Sequence, residues 1–138
     1  MNLKEKLAEA VGKENYSDNS EQLKEYSADF SYTKAGMPNY IVRPANSEEV
    51  SAVIKICNEF NTPVVPVSSR VHFYGATIPK EGGVILDMVR MDRIFEIDPD
   101  NRRVRFEAGV TWEKLTTELE KAGYRVIMPL APHAERSV

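Results

Sequence analysis

Val67 to Gly75 reads VSSRVHFYG, and this is where the chain concentrates groups able to hold an anion. Ser68 and Ser69 offer hydroxyl donors. Arg70 offers a planar guanidinium that can pair with a phosphate through two hydrogen bonds. No other constellation reaches that standard. His72 and His133 are the only histidines and lie far apart in sequence, so they do not make a metal site. Asp87, Asp92 and Asp98 fall on a strand end, a turn and a hairpin, and their spacing does not pair them. No Ser/His/Asp order stands out, and neither a P-loop nor a G-x-G-x-x-G motif is present. The single cysteine, Cys57, excludes an intramolecular disulfide. Its place on the apolar face of a helix marks it as a core thiol. No catalytic set and no metal set is therefore named.

The composition is that of one ordinary globular domain. The chain has 138 residues, 42% of them hydrophobic and 28% charged, enough for a real core. A net charge of −3 argues against nucleic acid as a partner. Nothing approaches the roughly 18 apolar residues of a membrane span. The first residues, MNLKEKLAEAVGKE, lack the apolar segment of a secretory signal, so the expected location is cytoplasmic.

The elements that must position the loop follow from periodicity. Leu3, Leu7, Ala10 and Val11 share a helical face, with Gly12 as a stop. Leu23 and Tyr26 suggest a second short helix from about Ser20, and residues 30–39 read as an irregular connection. Tyr40–Arg43 is a short strand. Asn46 with Glu49 has capping-box spacing. It precedes a helix with Val50, Val53, Ile54, Cys57 and Phe60 as its buried stripe. Val64–Val67 is the next strand, and strand, helix and strand of this length form a parallel unit. Val84-Ile85-Leu86 is a third apolar run. A hairpin follows. Phe95 and Ile97 alternate with Glu96 and Asp98, a turn spans Asp98–Asn101, and Val104, Phe106 and Ala108 alternate with Arg103, Arg105 and Glu107. Thr111 can cap a helix whose apolar positions are Trp112, Leu115, Leu119 and Ala122, closed by Gly123. Arg125–Met128 is expected as one more strand, and the last residues carry no periodic pattern. Trp112, Phe60 and Phe106 are expected in the core. Arg102, Arg103 and Arg105 are expected in solvent.

Three segments in this order, EQLKEYSADFS (21–31), YIVRPANSEEVSAVIKICNEFNTPVVPV (40–67) and GGVILDMVRMDRIFEIDPDNRRVRFEAGVTWEKL (82–115), carry a resemblance. The chain resembles the FAD-binding domain of the vanillyl-alcohol oxidase / p-cresol methylhydroxylase family, in its glycolate and D-lactate dehydrogenase-like branch. The resemblance implies an α/β (α+β) fold of the p-cresol methylhydroxylase type. A small parallel βαβ lobe would be followed by the start of a second lobe, with an antiparallel hairpin and a helix. Residues 1–39 would be N-terminal helices and a connection, and 40–138 a FAD-binding domain incomplete at its C-terminus. In that family the loop after the second strand, of the type R-G-G-G-T-S, wraps the FAD pyrophosphate with backbone N–H groups.

The implied cofactor is FAD. The implied binding residues are Val67, Ser68, Ser69, Arg70, Val71, His72 and Gly75, with Pro129 from a later proline-containing stretch. The chain departs from the family pattern where most of the loop glycines are replaced. Val71 is β-branched and fits poorly where φ must be positive. His72 lies one position beyond the histidine that tethers the flavin in some members.

The function so implied is the N-terminal FAD-domain portion of a flavin-dependent oxidoreductase acting on a small 2-hydroxy acid or alcohol, with hydride passing to flavin N5. It would not be catalytic alone. A second chain or a missing C-terminal half would complete the site, and a homodimer is a further possibility. The alternative is a flavin-free binding or interaction module that kept the fold and lost the pyrophosphate loop.

Overall fold

The structure, a computed structural model, describes residues 1–69, 71, 73–126 and 134–138. It opens with helix α1, Leu3–Val11. The Asn2 side chain accepts from Glu5 N, and the Glu5 carboxylate accepts from Asn2 N, which satisfies two otherwise orphaned donors. Leu7 and Val11 are buried. Strand β1, Tyr16–Ser17, and helix α2, Ser20–Glu25, follow. Strand β2 is Tyr40–Val42, helix α3 is Ser47–Glu59, and β3 is Val64–Val67. Strand β4 is Val84–Asp87. The hairpin is β5, Ile94–Asp98, with β6, Arg103–Phe106, and helix α4 is Trp112–Lys121.

The first four strands form one sheet in the order β1-β2-β4-β3. Strands β2, β4 and β3 run parallel, with Tyr40 opposite Val84 and Val64 opposite Val84. β1 is antiparallel at one edge. β4 thus lies between the two strands that α3 connects. It is buried along its whole length, which is why it reads as an unbroken apolar run. Val42, Val84 and Leu86 face α1 and α3, packing with Leu7, Val11, Val53 and Cys57. Ile41, Ile85 and Val67 face the other way, against Leu23 and Tyr26. Pro66 has no N–H to give a ladder, and β3 is an edge strand, where proline is tolerated. The second lobe has its own core, in which Val110, Leu115 and Leu119 pack with Ile94, Ile97, Val104, Phe106, Trp112 and Val126. Among the described residues no helix is long and apolar enough to cross a membrane.

Four expectations are corrected. On α3, Val53 and Cys57 are buried, but Ile54 and Phe60 are exposed. Phe60 is the helix C-cap and lies beneath the Lys6 ammonium instead of in the core. In β5 a bulge between Ile94 and Glu96 shifts the register, so Ile94 and Ile97 face the core and Phe95 turns to solvent. There the Arg93 and Arg105 guanidinium groups lie over its ring. After Phe106 the alternation stops. Glu107 is buried and Ala108 exposed, because the Glu107 carboxylate accepts from Arg93 N, Nε and Nη2. Arg93 holds the Glu107 carboxyl below its ordinary range, and the same contact ties the start of β5 to the end of β6. Arg125 and Val126 are not in a strand, and Ile127 and Met128 lie outside the described residues.

Candidate functional site

The parallel strands β2, β4 and β3 end together at Val42, Asp87 and Val67. Ligands of open α/β sheets bind beyond the carboxyl ends of such strands. A cavity of about 480 Å³ lies there. Arg43 follows β2, Asp87 closes β4, and Ser68, Ser69 and Val71 follow β3. Glu25, Tyr26 and Phe30 come from α2 and the connection after it, and Gly109, Thr111 and Glu135 from the second lobe.

Of the expected binding residues, Ser68, Ser69 and Val71 are brought together in this cavity. The Ser68 and Ser137 hydroxyls are 2.6 Å apart, and Ser137 also reaches Ser69 at 3.5 Å. Among the described residues, positive φ outside glycine is confined to Asn61 and Arg102. Neither serine therefore occupies a conformation that only glycine would favour. Val67 is 3% exposed and anchors the loop in the core. Gly75 does not line the cavity. Its φ is +70°, its N–H donates to Asp29, and an added Cβ would lie 2.2 Å from Thr33 Oγ1. It fastens the loop to the connection at Asp29–Thr33. Arg70, His72 and Pro129 lie outside the described residues.

Three side chains that spacing did not single out hold the floor of the cavity. Asp87 is 5% exposed. Its Oδ2 accepts from Tyr26 Oη at 2.6 Å, its Oδ1 accepts from Val89 N at 3.1 Å, and Arg43 Nε approaches Oδ2 at 3.5 Å. Burial, and then the bond to Asp87, push the Tyr26 phenol up to about 12. The folded chain thus keeps this proton at a pH where the unfolded chain releases it near 10. The stability gained is complete below the unfolded value and is lost as pH rises through about 12. Unfolding by urea across this range is expected to show a steeper alkaline loss in the wild type than in Tyr26→Phe. Parallel curves would show that the phenol proton is not held by the fold. Tyr16, also pushed up by burial, contributes equally to both proteins.

Cys57 is buried, and burial raises its thiol, as suits a core residue. Among the described residues no cluster of three His, Cys, Asp or Glu could hold a metal ion.

The family model for the FAD binding domain matches residues 38–134. The glycolate oxidase subunit GlcD of Bacillus subtilis is 33% identical over 121 residues, which is 88% of this chain and 26% of that protein. The mitochondrial D-lactate dehydrogenase [cytochrome] of Arabidopsis thaliana is 35% identical over 78% of this chain and 19% of its own length. The crystal structure of p-cresol methylhydroxylase with substrate bound superposes with a TM-score of 0.83 at 28% identity, covering 94% of this chain and 26% of that one. The chain thus spans about a quarter or less of the length of these relatives. The α/β fold is that of the p-cresol methylhydroxylase type, the cofactor of the matched family is FAD, and this chain belongs to the FAD-binding-domain family.

Proposed function

We propose that this chain is the FAD-domain portion of a flavin-dependent oxidoreductase acting on a small 2-hydroxy acid or alcohol. The observation that carries the reading is the cavity at the carboxyl edge of β2, β4 and β3, with the Ser68 and Ser69 hydroxyls on its wall, in a chain of this family. The donor set suits a pyrophosphate, because hydroxyls donate to phosphate oxygens and Arg43 supplies positive charge. Val67 holds the loop from the core side, and Gly75 holds it from the Asp29–Thr33 side. When bound, the flavin supplies the hydride acceptor, while the protein binds and orients it. The groups that bind substrate and move its protons are assigned to polypeptide beyond these residues, in the same or a second chain. The similarity to proteins more than three times as long supports this assignment.

The test is the absorbance spectrum of the purified chain, followed by thermal unfolding with FAD, FMN or ADP. A ligand at a hundred times its dissociation constant stabilises by about 2.7 kcal/mol, enough to move the midpoint by several degrees. FAD is expected to give that shift. In Ser68→Ala/Ser69→Ala its affinity is expected to fall about tenfold or more, with two hydroxyl bonds worth roughly 0.7 kcal/mol or more each. No colour and no shift would instead favour the flavin-free module. That reading draws on the acidic part of the cavity lining, Glu25, Asp87 and Glu135.

A further inference from the structure

We propose that Arg43 is the residue that pairs with the pyrophosphate of the dinucleotide, and that Asp87 and Tyr26 aim it; this rests on the FAD reading above. Arg43 comes directly after β2, so it stands on the same edge of the sheet as Ser68 and Ser69. Its backbone is pinned on both sides. Arg43 N donates to Asn15 O, and Arg43 O accepts from Arg90 Nη1 at 2.8 Å. Its side chain is 25% exposed and lines the cavity.

The guanidinium is ion-paired with Asp87. Nε faces Asp87 Oδ2, and that carboxylate cannot turn away, since Tyr26 Oη holds Oδ2 and Val89 N holds Oδ1. The guanidinium also reaches the Tyr26 hydroxyl, so Asp87 and Tyr26 set its place together. A guanidinium carries five N–H donors, more than these two partners take, and those left over can reach phosphate oxygens. The electrostatics favour the same assignment. Among the described residues of the lining, Arg43 is the one cationic side chain, and it stands with Glu25, Asp87 and Glu135. Asp87 then has two tasks. It offsets the charge of Arg43 and keeps the guanidinium at the cavity wall.

Titration of the whole chain with FAD, ADP-ribose and FMN, followed by calorimetry at two ionic strengths, tests the assignment. The variants are Arg43→Met, Arg43→Lys and Asp87→Asn, with Arg105→Met on the hairpin as control. Arg43→Met is expected to weaken FAD and ADP-ribose about tenfold or more and to flatten the salt dependence of the remaining binding. Arg43→Lys keeps the charge without the fork and is expected to fall between Met and wild type. Asp87→Asn keeps the Arg43 cation and is expected to weaken both ligands while leaving their salt dependence in place, which a loss of the Arg43 charge would not do. The unliganded thermal midpoint of each variant separates lost binding from lost fold. Wild-type chain that binds FAD, with Arg43→Met binding it equally well, would overturn this assignment and leave the FAD reading standing. Wild-type chain that binds neither FAD nor ADP-ribose would overturn both.

Discussion

Gly83→Ala is expected to lower the unfolding free energy by roughly 2–4 kcal/mol, a large part of the total stability of a domain this size. Gly83 has a φ of +87°, where a side chain is strained. A Cβ there would lie 2.2 Å from the Pro63 carbonyl oxygen and 2.9 Å from its carbon. That obstacle is backbone, so no rotamer change relieves it. The position is also tied on every side. Gly83 N donates to Asn39 Oδ1, Gly83 O accepts from Asn39 N and Tyr40 N, and Pro63 O accepts from Val84 N. A shift that made room would loosen the starts of β2, β3 and β4 together. Urea unfolding should show a lower midpoint with an unchanged slope. A change within about 0.5 kcal/mol would mean the junction is far softer than its contacts imply.

Asp87→Ala is the second large effect, and it reaches the site as well as the fold. It leaves the Tyr26 hydroxyl, the Val89 N–H and the Arg43 guanidinium without the carboxylate they share. Breaking a fully buried ion pair on one side costs about 3–5 kcal/mol. Arg43 is partly exposed and so partly resolvated, and the expected loss is about 2–4 kcal/mol. Asp87→Asn keeps an acceptor for Tyr26 and is expected to cost less than half as much. Chemical denaturation of the two variants side by side checks the ordering. Equal losses would show that packing, and not the shared carboxylate, sets the stability here.

Legibility in the sequence followed the range of the interactions. The helices at Leu3–Val11, Ser47–Glu59 and Trp112–Lys121 were readable because a cap and a periodic stripe are local properties. So were the three apolar strands and the position of the hairpin. Ser68 and Ser69 were named because they stand where the family's pyrophosphate loop follows the second strand, and both line the cavity. The group of Tyr26, Arg43 and Asp87 was not, because it is assembled from three separate segments. Asp87 is preceded by an apolar strand, and no local pattern tells a strand-ending aspartate in solvent from one buried beneath a tyrosine. The bulge at Phe95 was hidden for a related reason. A period-two count assumes regular pairing, and one extra residue exchanges the two faces. The two-residue strand β1 is too short for any periodicity, and its place comes from pairing with β2. Gly75 was legible as a special glycine but not in its role, since the contact that demands it comes from Thr33.

The central strand of the sheet is also the last of its four strands to emerge during synthesis. Until Val84–Asp87 is made, β2 can pair only with β1, and β3 has no partner at all. Both parallel pairings are non-local, so loop-closure entropy must be overcome before any of their bonds form. The nascent chain thus carries two apolar, unsatisfied strand edges, the kind of surface on which chaperones act. The segment between β3 and β4 begins beside the cavity. Its first residues, Ser68 and Ser69, reach the cavity wall only when Asp87 arrives opposite Val67. Binding competence and sheet closure should therefore appear together in refolding, as one kinetic phase.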